Sequence, residues 1–209
     1  MPTTVYRTVA RNGAAEIEVS RSRFRCTIAR VEDEVGARAV VESCRKESWD
    51  ARHHCSAYVI GPDGALVRSN DDGEPPGTAG APMLEVLRGR GLSDVVAVVT
   101  RWFGGVLLGT GGLSRAYGDA VRAALDEVGE RERVLQAIGE VSVEHARVGR
   151  LEHALRSRGA AVLGVEYADH AVLRLAIAPL AWTGAESIVA ELSEGQGALV
   201  RVGEQWVDR

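Results

Sequence analysis

Lysine is almost missing from this sequence: Lys46 is the only one, and the other cations are arginines. A cationic excess is missing too. Against 25 basic residues stand 29 Asp and Glu, for a formal net charge of −4. That excludes a generally basic nucleic-acid-binding surface, so any contact with RNA or phosphate must come from a local patch. Cysteine is scarce: Cys26, Cys44 and Cys55 are odd in number and form no CxxC pair. Neither a disulfide framework nor a zinc knuckle is expected. Long apolar runs are also lacking. The longest, around Val95–Val99, is the size of a strand rather than a membrane helix. The first residues carry no apolar h-region of a secretory signal, so a cytoplasmic protein without membrane contact is expected.

What is present is patterned. Extended segments are expected at Glu16–Ser20 and Arg23–Val31, where Phe24, Cys26 and Ile28 alternate with Arg23, Arg25 and Thr27. Apolar residues at helical spacing predict a helix over Glu34–Glu47. Strands follow at His53–Ile60 and Ala65–Ser69, then a short helix between Pro82 and Gly91. Val95–Phe103 reads as a strand buried on both faces, and Leu113–Val128 as a helix with one continuous apolar stripe. The charged run Gly129–Arg133 breaks the pattern, which puts a domain boundary there: residues 1–133 and 134–209. Beyond it the order is strand Gln136–Val143, helix His145–Arg158, strands Ala160–Tyr167 and Ala171–Ile177, helix Trp182–Leu192 and strand Ala198–Val202. That βαββαβ order is ferredoxin-like, and the chain as a whole is α+β.

Three segments of the first domain carry the reactive groups. In Asp50–Tyr58, period-two alternation puts His53 and Cys55 on one face and His54 on the other. A metal site, a Cys/His nucleophile pair and an ordinary buried thiol beside a hydrogen-bonded histidine are all open readings. In Ser69–Gly80, the carboxylates of Asp71, Asp72 and Glu74 precede a stiff Pro75-Pro76-Gly77-Thr78 turn. The spacing is not that of an EF-hand, so no tightly held metal is expected. In Thr100–Tyr117, a strand runs through Arg101 and Trp102 into Gly104, Gly105, Gly109, Gly111 and Gly112, then into a helix. Backbone N–H groups and a helix N-terminus suit a phosphate or carboxylate, although the P-loop lysine is missing. Arg115 in the first turn of that helix opposes the dipole unless it faces an anion. Arg101 with Trp102 pairs a planar donor with a stacking face, as RNA recognition uses them. Arg101, Trp102, the five glycines and Arg115 are therefore the candidate anion- or nucleic-acid-binding set. His53, His54, Asp71, Asp72, Glu74, Gly77 and Thr78 are the supporting set.

On Ser22-Arg-Phe24, Asp50–Cys55, Asp71–Gly80 with Pro82, and Thr100–Tyr117, the chain resembles the bacterial YigZ group of the IMPACT family. The resemblance implies a left-handed βαβ first domain like domain IV of elongation factor G, and a second domain like that factor's domain V. It implies a link to translation, with RNA or a ribosomal partner, but supplies no catalytic residues and no cofactor. The competing expectation is a small-molecule enzyme acting on a phosphorylated or nucleotide substrate, since small-molecule kinases share the left-handed unit.

Overall fold

The computed structural model describes residues 3–209, which divide into two compact units, one up to Glu132 and one from Arg133. The first unit holds β1 (Val5–Val9), β2 (Gly13–Val19), β3 (Ser22–Arg30), α1 (Glu34–Glu47), β4 (His53–Ile60), β5 (Leu66–Asn70), α2 (Gly80–Gly89), β6 (Val95–Trp102) and α3 (Gly109–Val128). An antiparallel sheet runs β2-β3-β6-β4-β5, so the late strand β6 sits between β3 and β4. Strand periodicity sorts its residues onto two faces. Phe24, Cys26 and Ile28, Cys55, Ala57 and Val59, and Val95, Ala97 and Val99 meet α2 and α3 in one core. Ala29, Val31, Tyr58, Ile60, Val96 and Val98 meet α1 in another. Two covered faces explain why β6 is apolar without interruption.

α1 begins at Asp33, whose carboxylate accepts from the Gly36 N–H at 2.7 Å, and ends with Arg45 and Lys46 near its C-terminus. Both ends match the helix dipole. The second unit contains β7 (Glu130–Val143, which begins three residues earlier), α4 (Val148–Ser157), β8 (Ala161–Tyr167), β9 (Ala171–Ile177), α5 (Trp182–Leu192) and β10 (Val200–Asp208). Its strands run antiparallel in the ferredoxin-like order β10-β7-β9-β8, with β1 also pairing β7 as the fifth strand of that sheet, and Leu151, Leu155, Ala185 and Val189 of the two helices share its core. Among the described residues no helix is long and apolar enough to cross a membrane.

Several elements depart from the sequence expectation. β1 was not anticipated; a buried Tyr6 hydroxyl donating to Asp94 ties it to the first unit. The charged run after Gly129 is the start of a 14-residue strand rather than a break. α3 starts at Gly109, four residues before Leu113: Gly109, with φ +68°, Gly111 and Gly112 make up its first turn. Arg115 therefore lies in the second turn, and the dipole conflict that drew attention to it disappears.

Candidate functional site

Sheet register gathers three of the sequence motifs at one end of the first unit. Arg23 of β3 lies opposite Trp102 of β6, Phe24 opposite Arg101, and His53 of β4 opposite Arg101 on its other side. The acidic loop between β5 and α2 closes over this end, and its three carboxylates do three different things.

Asp71 holds the loop's own backbone. Its Oδ1 accepts from Ala79 N at 3.0 Å and Gly80 N at 2.8 Å, and its Oδ2 from Gly77 N at 2.7 Å. It thus caps α2, whose N-cap residue Ala79 has no side chain able to do so. Burial opposes ionisation, but the N–H donors of Gly77, Gly80 and Ala79 outweigh it and hold the carboxyl below its usual range. The Thr78 hydroxyl donates to the Pro75 carbonyl at 2.7 Å, closing the turn. Asp72 looks toward α1: its Oδ1 accepts from Arg45 Nη2 and its Oδ2 from the His54 backbone N–H, both at 2.7 Å. The His53 ring hydrogen-bonds the Asp72 carbonyl at 2.9 Å, and the His54 ring that of Ser48 at 3.2 Å. His54 is buried, which lowers its pKa and leaves it neutral at pH 7.

Glu74 turns inward. Its Oε1 accepts from Arg101 Nη1 at 2.6 Å and from the Tyr117 hydroxyl at 2.7 Å, with both charged side chains under a tenth exposed. Arg101 Nε is buried without a hydrogen-bond partner, and the guanidinium stands 5.4 Å from the Phe24 ring and 5.7 Å from that of Phe103. Cys55 Sγ lies 3.0 Å from the Asp71 carbonyl and 3.3 Å from the Tyr117 oxygen. Burial pushes the Cys55 thiol up to about 12, so it is no nucleophile at neutral pH. Tyr117, Arg45 and Ser22 thus belong to the site although the sequence did not single out their polar groups. The clue for Tyr117 was a hydroxyl in an otherwise apolar helical stripe.

The glycine-rich segment rests on this frame. A Cβ at Gly104 would lie 1.9 Å from the Arg21 carbonyl oxygen, so only glycine fits there. The Gly104 N–H donates to Ser22 Oγ at 3.2 Å, docking the loop on the β2–β3 turn rather than facing a ligand. Gly105 has φ +85° and carries the chain outward. Phe103 before it and Val106 and Leu107 after it are exposed, Leu107 almost wholly so. The first turn of α3, at Gly109 to Gly112, has no side-chain cap. Trp102 packs under Arg23, whose guanidinium is 4.1 Å from the ring centroid, and donates its indole N–H to Asp50 at 2.9 Å. Trp49, adjacent to Asp50 in the chain, is 83% exposed. Arg21 and Arg52 are exposed and have no carboxylate partner among the described residues.

Arg101 and Arg115 do not share a site. Arg115 is two residues from Tyr117, about 200° around the helix by the α-helical repeat, so it points away from Glu74. It lines instead an open groove between α2 and α3, with Arg90 and Arg122. The two arginines looked equivalent in sequence because both adjoin the glycines; helix phase separates them. Among the described residues no group of three or more His, Cys, Asp or Glu side chains is arranged to hold a metal ion.

These features define a two-domain α+β protein in which a glycine-rich loop is braced by a buried Glu–Arg–Tyr network. Residues 20–125 match the Impact N-terminal domain, and residues 141–196 match a domain of unknown function, DUF1949. The IMPACT family member YigZ of Escherichia coli is 36% identical over 189 residues, covering 90% of this chain and 93% of the relative. The IMPACT family member YvyE of Bacillus subtilis is 45% identical over 165 residues, covering 79% and 76%. A solved structure described as that of a hypothetical protein superposes with a TM-score of 0.64 at 34% identity, over 97% of this chain and 99% of that one. The chain belongs to the IMPACT family.

Proposed function

We propose that this is a translation-associated RNA-binding protein that contacts single-stranded RNA through the end of its first domain. The observation that carries the reading is the display around the glycine-rich loop. Trp49, Phe103 and Leu107 are exposed there, Trp102 is backed by Arg23, and Arg21 and Arg52 lack carboxylate partners among the described residues. Aromatic faces interleaved with guanidinium groups are what unstacked bases and phosphates require. The uncapped first turn of α3 adds N–H groups suited to a phosphate. Arg101 acts differently from the sequence expectation: it positions the loop through Glu74 and does not contact the ligand. The family's connection with translation supports ribosomal RNA as the natural target.

The test is fluorescence anisotropy with a labelled single-stranded RNA at low salt. Modest affinity is expected, with a salt slope corresponding to about 2–4 phosphates. Phe103→Ala should cost about 1–3 kcal/mol of binding, the worth of one base–aromatic stack. Arg52→Ala should lower the salt slope by about one phosphate without changing thermal stability. Absence of RNA binding at low salt, or variants that bind as the wild type does, would refute the proposal.

A further inference from the structure

On the opposite face of the sheet from α3, the apolar pattern stops short. Along the β4–β5 pair, Ile60 faces Leu66 within the α1 core, but the next pairs on that face are Tyr58 with Arg68 and Ser56 with Asn70. These polar pairs floor a pocket of about 490 Å³ whose far wall is α1. Its size suits a small metabolite, the usual range being roughly 300–1,000 Å³. Ser56 is 7% exposed, and its hydroxyl makes no hydrogen bond among the described residues. That hydroxyl opens into the pocket, where it is free to bond water or a group of a ligand.

Charge narrows the partner. In the α1 wall Arg38 is engaged by Glu34 at 2.9 Å, and Arg45 by Glu42 at 2.9 Å and Asp72 at 2.7 Å. Arg68 has only the neighbouring Val67 carbonyl, at 3.0 Å, among the described residues. It is the one arginine of the pocket without an ion pair among the described residues, although it lies in the field of Glu34, and a guanidinium fork is matched by phosphate. The two wall glutamates work against polyanions. Hydrogen bonds from Tyr58 and Arg38, with smaller contributions from the Arg38 and Arg68 charges, hold the Glu34 carboxyl below its usual range. It is therefore charged at neutral pH and penalises every negative charge added to the pocket, a second phosphate beyond the reach of Arg68 most of all. The floor of the pocket offers the Ser56 hydroxyl and the amide NH2 of Asn70, whose Oδ1 already accepts from the Asp72 N–H at 2.7 Å; both groups can bond hydroxyls or carbonyls.

We infer that the α1–β5 pocket binds a phosphomonoester with a hydroxylated or amide-bearing body, of the size of a nucleoside monophosphate. Arg68 takes the phosphate, while Ser56 and Asn70 take the body. The inference is independent of RNA binding at the glycine-rich loop, because none of the residues proposed to contact RNA lines this pocket.

Isothermal titration calorimetry of the full chain tests it, with the four nucleoside 5′-monophosphates, ribose 5-phosphate and inorganic phosphate as probes. At least one organic phosphate should bind with Kd of about 10–1,000 µM, and inorganic phosphate at least ~10-fold more weakly. Whether ribose 5-phosphate matches the nucleotides decides between a sugar phosphate and a nucleotide; either supports the inference. Arg68→Ala should weaken binding by ~10-fold or more at unchanged melting temperature, since the residue is exposed on an edge strand. Ser56→Val, which fills the floor without the hydroxyl, should weaken the organic phosphates but not inorganic phosphate. No binding of any organic phosphate at roughly 5 mM, equal affinity for inorganic phosphate, or an Arg68→Ala variant that binds as the wild type does would overturn it.

Discussion

Glu74→Gln removes one charge from the most buried ion pair of the first domain and changes almost nothing else in shape. In the native protein the carboxylate takes two short hydrogen bonds, from Arg101 and Tyr117, with its side chain 4% exposed and that of Arg101 7%. After the substitution the guanidinium stays buried, faces no anion, and still has an unpaired Nε. Breaking a buried pair on one side costs about 3–5 kcal/mol. For a unit of this size that is a fall in melting temperature of roughly 10–15 °C. Arg101→Met leaves the opposite orphan, a buried carboxylate, although Tyr117 still donates to it. The double variant restores neutrality, so its loss should be smaller than the sum of the singles by at least ~2 kcal/mol. Urea unfolding followed by circular dichroism, read at the transition of the first domain, measures all four corners of the cycle. Arg115→Ala is the control, and should stay within about 0.5 kcal/mol of wild type because the side chain is exposed. A Glu74→Gln variant within ~1 kcal/mol of wild type, with no coupling to Arg101, would refute the view of Arg101 as an internal brace.

Gly104→Ala drives a Cβ into the Arg21 carbonyl and should cost at least ~3 kcal/mol, while Gly105→Ala, with nothing near its Cβ, should cost only its left-handed strain of about 1–2 kcal/mol; thermal denaturation separates them. Stability should fall on acidification, because His54 and Asp71 both have folded pKa values below their unfolded ones and bind more protons when unfolded. The His54 contribution is lost as pH drops below about 6.5 and that of Asp71 below about 4, and Asp71→Asn should abolish the second step in a melting-temperature profile. Cys55, with its thiol raised to about 12, should resist a thiol reagent at pH 8 in the native protein and react at once in denaturant. Residues 133–209, expressed alone, should give a dispersed proton NMR spectrum, since their core closes without residues from the first unit.

Much of the fold was legible because each element obeys one period. The alternation in β3 and the apolar stripe of α3 need only local geometry to be read, and both-face burial of β6 shows as an unbroken Val95–Val99 run. The acidic loop was legible as a site but not in its parts. Asp71, Asp72 and Glu74 look alike in sequence, and their roles are set by partners far along the chain: Glu74 reaches Arg101 across 27 positions and Tyr117 across 43. The start of α3 was misplaced because glycines report freedom of the backbone, not the direction it takes. β1 escaped notice because it is short, and because its anchor, Tyr6 to Asp94, spans 88 positions.

The place of β6 in its sheet also governs how the chain assembles during synthesis. The hairpins β2–β3 and β4–β5 precede it, yet neither touches the other in the ladder until β6 slides between them. A nascent chain that stops before Val95 therefore presents two open strand edges, those of β3 and β4, each lined with apolar side chains meant for a core that does not yet exist. Unpaired edges of this kind are templates for intermolecular pairing. Closure of the sheet waits on a strand nearly a hundred residues into the chain, and the resulting long-range pairing makes folding slow relative to helical proteins. The first domain is thus an all-or-none product of late synthesis, and ribosomal pausing or truncation upstream of β6 should send the chain to aggregates rather than to a partly folded monomer.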